Sequence, residues 1–157
     1  MRYSGKKIEA VCETVVIPRA GGNLVFKAKP VTDYKAFEAL CPEPKPPVVM
    51  LPGGDSRADV NDKSYKFALE RHVQRRVDWM ILESLSATAE LEWETVDRSN
   101  PETWGNYVRE LETSGLPNAD INRIVNAVMD ANGLNQKKVE EATKSFLAGP
   151  LAVSTGQ

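Results

Sequence analysis

Apolar residues return every four positions through Asp62–Leu85, DKSYKFALERHVQRRVDWMILESL. Tyr65, Leu69, Val73, Val77, Ile81 and Leu85 share one side of a helix, and Phe67, Ala68, Met80 and Leu82 widen the stripe to the breadth that a core-facing helix needs. Neither glycine nor proline interrupts the run, and Asn61 and Asp62 offer side-chain oxygens to cap its first amides. The pattern predicts one long helix, with the rest of the chain packing against it.

Ahead of it the period changes. IEAVCETVVI (8–17) is rich in β-branched residues, and NLVFKAK (23–29) sets Leu24, Phe26 and Ala28 against polar neighbours. Pro18, Gly21, Gly22 and Asn23 between them carry turn chemistry, so a β-hairpin is expected. A lone hairpin is marginal in water. It therefore needs a third strand, its own helices or another chain, and its own helices are the simplest expectation. Thr32 or Asp33 can cap a short helix, DYKAFEAL, with Tyr34, Phe37 and Leu40 on one side. CPEPKPP then holds four prolines in seven residues, which removes backbone donors and favours a stiff extended strap. Val48–Leu51 reads as a brief strand and GGDSRADVND as a polar approach to the long helix.

Residues 86–99, around Leu91 and Trp93, fit either an extended segment or a continuation of the helix. Beyond them Asn100 and Pro101 open a third helix, with Trp104, Tyr107, Val108 and Leu111 on one face and Gly115–Leu116 as its stop. Gly105 weakens its interior by about 1 kcal/mol relative to alanine. Ile121, Ile124, Val125, Val128 and Met129 form the stripe of a fourth helix, and Val139, Ala142, Phe146 and Leu147 that of a fifth. Short connections imply that these helices fold back on each other. The expected fold class is α+β, mainly helical. An N-terminal β-hairpin and proline-rich strap (1–61) precede a helical bundle of about five helices (62–149), and 150–157 reads as a flexible tail.

Composition narrows the function. The 157 residues carry a net charge of −2, so no global positive field collects nucleic acid or an anionic membrane. No apolar stretch approaches the roughly 18 residues of a membrane span. Cys12 and Cys41 lack CxxC spacing, and the single His72 cannot complete a zinc set with them. The glutamates at 90, 92 and 94 have the pattern of a solvated face rather than a calcium loop. His72 has no serine, cysteine or second histidine within motif reach, which leaves general-base work unsupported. No catalytic, cofactor-binding or metal-binding residue is assigned, and no enzymatic activity is expected.

Contact chemistry is better represented. Lys63, Lys66, Arg71, Arg75 and Arg76 make the first half of the long helix basic, with Glu70 the one acid among them. Such a strip either is solvated or orients an acidic partner. Trp79 falls off the four-residue stripe and is the natural candidate for a second contact surface. Arg71, Arg75, Arg76 and Trp79 are thus the candidate partner-binding residues. The third and fourth helices outline a helix-turn-helix, yet the fourth sets Asp120 and Asp130 against a single Arg123, which suits DNA poorly.

DYKAFEALCPEPKPPVVMLPGG, the long helix, LEWETVDRSNPETWGNYVRELETSGLPNADINRIVNAVMDANGL and the FLAG ending of the fifth helix together resemble the tail assembly chaperones of long-tailed bacteriophages, over about residues 31–149. The resemblance implies a largely helical, non-enzymatic factor in the host cell cytoplasm. Its implied partners are the phage tape-measure protein and tail-tube protein, with self-association and without nucleic acid or membrane. Two other readings stand beside it: a permanent virion component of the tail or head-tail connector, and a small helix-turn-helix regulator.

Overall fold

The computed structural model describes residues 1–149, and the expected tail at 150–157 lies outside the described residues. A small ribbon comes first, in which β1 (Arg2–Tyr3) pairs antiparallel with β2 (Lys6–Lys7). Its turn holds Ser4 and Gly5 at positive φ. Pairs this short carry no periodic signal, and the sequence reading missed this one.

The expected hairpin follows, as β3 (Glu13–Ile17) and β4 (Leu24–Ala28), with Val15 opposite Phe26 and Glu13 opposite Ala28. Alternation puts Val15, Ile17, Phe26 and Ala28 into the core and leaves Val16 and Val25 outside. The sheet gains no third strand; its inner face lies on helices instead. The edge of β4 is closed by the end of the long helix. Lys29 N donates to Ser84 O at 3.0 Å, Ser84 Oγ donates to Lys29 O at 2.7 Å, and Thr88 Oγ1 both accepts from Lys27 N and donates to Lys27 O. The outward backbone groups of Lys27 and Lys29, which a neighbouring strand would otherwise satisfy, are thus paired within the chain.

Helix α1 (Lys35–Leu40) is one short stretch after Asp33, whose Oδ1 accepts from Lys35 N at 2.9 Å. Phe37 is buried and Tyr34 half-buried, but Leu40 is exposed, so the expected three-residue face ends at Phe37. The proline strap leads into β5 (Val48–Met50), which pairs with β6 (Ser56–Ala58) around Gly53 and Gly54, both at positive φ. The sequence marked the turn and the first strand. Ser-Arg-Ala has no strand signature of its own, and the turn alone returns it to β5.

Helix α2 (Lys63–Leu85) runs unbroken, with the Asp62 carboxylate accepting from Tyr65 N. Its role as core organiser requires correction. Trp79, Met80, Ile81, Leu82 and Leu85 are buried, whereas no residue from Lys63 to Val77 is; Phe67 is 65% and Val73 55% exposed. The hairpin and the later helices reach only the second half, so the same four-residue stripe is core at one end and surface at the other.

Residues 86–99 form neither strand nor helix. A 3-10 turn (Pro101–Thr103), opened by Asn100 accepting from Glu102 N, leads into α3 (Asn106–Thr113), so the expected single helix is divided around Gly105. Helix α4 (Asn118–Ala131) buries Ile124, Ala127 and Val128 beneath the hairpin. At its end Gly133 adopts positive φ and Leu134 N donates to Met129 O at 2.9 Å, which closes the helix with a glycine stop. Helix α5 (Gln136–Ala148) is the fifth helix expected, but it buries none of its residues, and Phe146 and Leu147 are 82% and 76% exposed.

The α+β, mainly helical class stands. One buried cluster runs from Val15 and Phe37 through Trp79 and Trp104 to Val128, so residues 1–61 and 62–149 share a core. At its centre the Phe37 ring lies 6.0 Å from both Trp79 and Trp104, and Trp104 Nε1 donates to Arg98 O at 3.2 Å.

Candidate partner-binding surface

The first half of α2 is only partly covered, and its basic residues differ in how they are held. Arg71 Nη2 donates to both Glu102 oxygens at 3.0 Å, and Arg75 donates to the same carboxylate. Glu102 follows Asn100 and Pro101, so the turn that starts the third helical segment holds two α2 cations side by side. The Arg76 guanidinium lies 4.2 Å above the Tyr34 ring. Lys63, Lys66 and Arg71 remain at the surface, beside exposed Phe67 and Val73. Cationic and apolar groups are interleaved on this face.

Trp79 does not belong to it. The indole is 3% exposed, with Tyr34 at 5.4 Å, Phe37 at 6.0 Å and the Arg98 guanidinium 5.7 Å away. It fell off the four-residue stripe because the second half of α2 is covered on several sides, by α1, β4, α4 and the 86–99 loop, so off-stripe positions are buried there too. The expectation of a partner-binding Trp79 is corrected on that ground. Arg71 and Arg75 are brought together through Glu102, and Arg76 connects to Trp79 through Tyr34 and Phe37.

The remaining candidates have structural partners. His72 Nε2 lies 3.1 Å from Cys41 O and its ring 5.2 Å from Phe37, which fastens the end of α1 to α2. The 90–94 loop is anchored by Glu110, whose Oε1 accepts from Glu94 N, Thr95 N and Thr95 Oγ1. Among the described residues no group of three or more His, Cys, Asp or Glu side chains is placed to hold a metal ion. Nor is any helix there long and apolar enough to cross a membrane. Glu83 receives Lys29 on one side and Arg98 on the other, joining β4 to the loop below Trp79.

Asp78 is the one acidic residue buried as a whole among the described residues, and sequence reasoning passed over it because it sits between apolar stripes. Gln74 Nε2 donates to its Oδ1 at 3.0 Å, and Tyr107 packs nearby. Burial pushes the Asp78 carboxyl above its ordinary range, against the opposing hydrogen bond from Gln74. Burial, with the Asp78 charge adding to it, pushes the Tyr107 phenol up to about 12. An acid whose folded pKa is raised holds its proton more tightly when folded, so its contribution falls as pH rises from the unfolded value through the folded one. Asp78→Asn keeps an oxygen for Gln74 and removes the buried charge. It is expected to raise stability at pH 7 by on the order of 1 kcal/mol, with the gain vanishing in acid where Asp78 is protonated in both states. Urea unfolding across pH checks this.

Comparison with protein-family models, curated proteins and solved structures gives no match to the chain. The functional reading therefore rests on surface chemistry and on the sequence resemblance. Glu102 is the surface residue that sequence reasoning missed: it lies 31 positions from Arg71, and no local pattern announces such a pairing.

Proposed function

We propose that the protein is a non-enzymatic phage tail assembly chaperone that acts in the host cell cytoplasm. It holds the tape-measure protein, and recruits tail-tube protein, during tail morphogenesis. The observation that carries the reading is the uncovered half of α2. Phe67 and Val73 stand exposed between Lys63, Lys66 and Arg71 on a helix whose other half is firmly set in the core. A rigid helix presenting apolar groups among cations, with Glu70 the one acid between them, suits an amphipathic helix with acidic flanks, laid lengthwise. A long, helical tape-measure chain supplies such segments repeatedly. The paired Arg71 and Arg75 keep their geometry through Glu102, so little side-chain freedom is lost on binding.

The regulator reading is disfavoured by α4, the helix that would enter the DNA groove. It lies under the β3–β4 hairpin, and its Arg123 is engaged with Asp120 and with Val16 O. Co-expression with the tape-measure protein of the same phage is expected to keep that protein soluble and to yield a complex, with the chaperone absent from purified particles. No complex and no gain in solubility would contradict the proposal. Stoichiometric presence in purified particles would favour the permanent virion component.

A further inference from the structure

A groove of about 660 Å³ opens between the β3–β4 turn, the 91–94 loop and α3. Leu24, Leu91 and Trp93 give it an apolar floor, and Glu92, Glu94 and Glu110 outnumber Arg19 around it. Glu110 is incompletely satisfied. Its Oε1 takes three donors from the loop, while its Oε2 is buried without a hydrogen-bond partner. A buried carboxylate oxygen with no donor is costly, so the acidic side of the groove is incompletely satisfied within the chain.

Helix α5 has the complementary deficiency. Val139, Phe146 and Leu147 lie on one side with nothing over them, and Lys144, one turn before Leu147, makes no ion pair among the described residues. The helix cannot readily turn onto its own groove. Its first turn is fastened by Lys138 to Asp130 and by Asn135 to Asp130. Asn132, between α4 and α5, accepts from Val31 N at 2.8 Å just beyond β4, which places the foot of α5 at the open end of the hairpin. The groove opens at the other end, beside Gly21 and Gly22, a five-residue strand or about 17 Å away.

We propose that α5 of a second copy of this chain occupies the groove, with Phe146 and Leu147 on Leu91 and Trp93, and Lys144 reaching Glu94 and Glu110. Reciprocal exchange closes a dimer, and one-way exchange propagates a chain of subunits. The surface is separate from the basic half of α2, so the proposal stands independently of the tape-measure reading.

Sedimentation velocity of the full chain over a concentration series tests it. The wild-type chain is expected to associate below about 100 µM, and Phe146→Asp with Leu147→Asp to leave only monomer. Because α5 buries no residue, circular dichroism and thermal unfolding of that variant should match wild type. Lys144→Glu and Glu94→Lys are each expected to weaken association by about tenfold, and mixing these two variants to restore it through the exchanged charges. A wild-type chain that stays monomeric at 100 µM, a doubly substituted α5 variant that associates like wild type, or a charge exchange without rescue would each overturn the proposal.

Discussion

Replacing Trp104 by alanine is expected to destabilise the protein by about 3–5 kcal/mol, enough to leave a domain of ordinary stability partly unfolded. The side chain is fully buried, its ring faces Phe37, and its Nε1 donates to Arg98 O. Truncation opens a cavity where α1, α2 and the third helical segment converge, and the Arg98 carbonyl loses its donor. The loss falls on the whole core because the 3-10 turn that places Trp104 also places Glu102 against Arg71 and Arg75. Urea unfolding followed by far-ultraviolet circular dichroism gives the magnitude. A cost below 1 kcal/mol would mean that the aromatic cluster is not the centre of the fold.

Trp79→Ala carries a similar expectation, about 3–5 kcal/mol, and it separates two roles that the sequence left together. Tyr34, Phe37 and the Arg98 guanidinium surround the indole, so its removal should impair folding more than Val77→Ala, because Val77 is only half-buried. Binding of a partner should then decline only in step with the folded fraction. A Trp79→Ala chain of wild-type stability with lost binding would return Trp79 to the interface.

The strongest local patterns were legible. The β3–β4 turn residues, the Asp62 and Asn100 caps, and the glycine stop at Gly115 each act over four or five residues, and each was found where expected. What local pattern cannot report is which elements meet. The repeat from Tyr65 to Leu85 is equally regular at both ends, yet the first half is covered on one side only, so Val73 is surface and Ile81 core. Helix α5 teaches the same point: a good apolar stripe predicts a helix but does not supply an element to cover it. Trp79 failed in the opposite direction, because multiple coverage of one segment erases the distinction between stripe and back. Of the candidate surface, the arginines were readable as a charge run, whereas Glu102, which pairs two of them, belongs to a contact set by tertiary folding.

The account depends most on the uncovered half of α2 being the partner surface. Hydrogen exchange of the full chain, alone and in complex with the tape-measure protein, addresses this directly. The expected result is slowed exchange across residues 63–76 on binding, with β3 and β4 unchanged because the hairpin lies against the far end of α2, at Ser84. A stable complex in which residues 63–76 exchange as fast as in the free protein would contradict it.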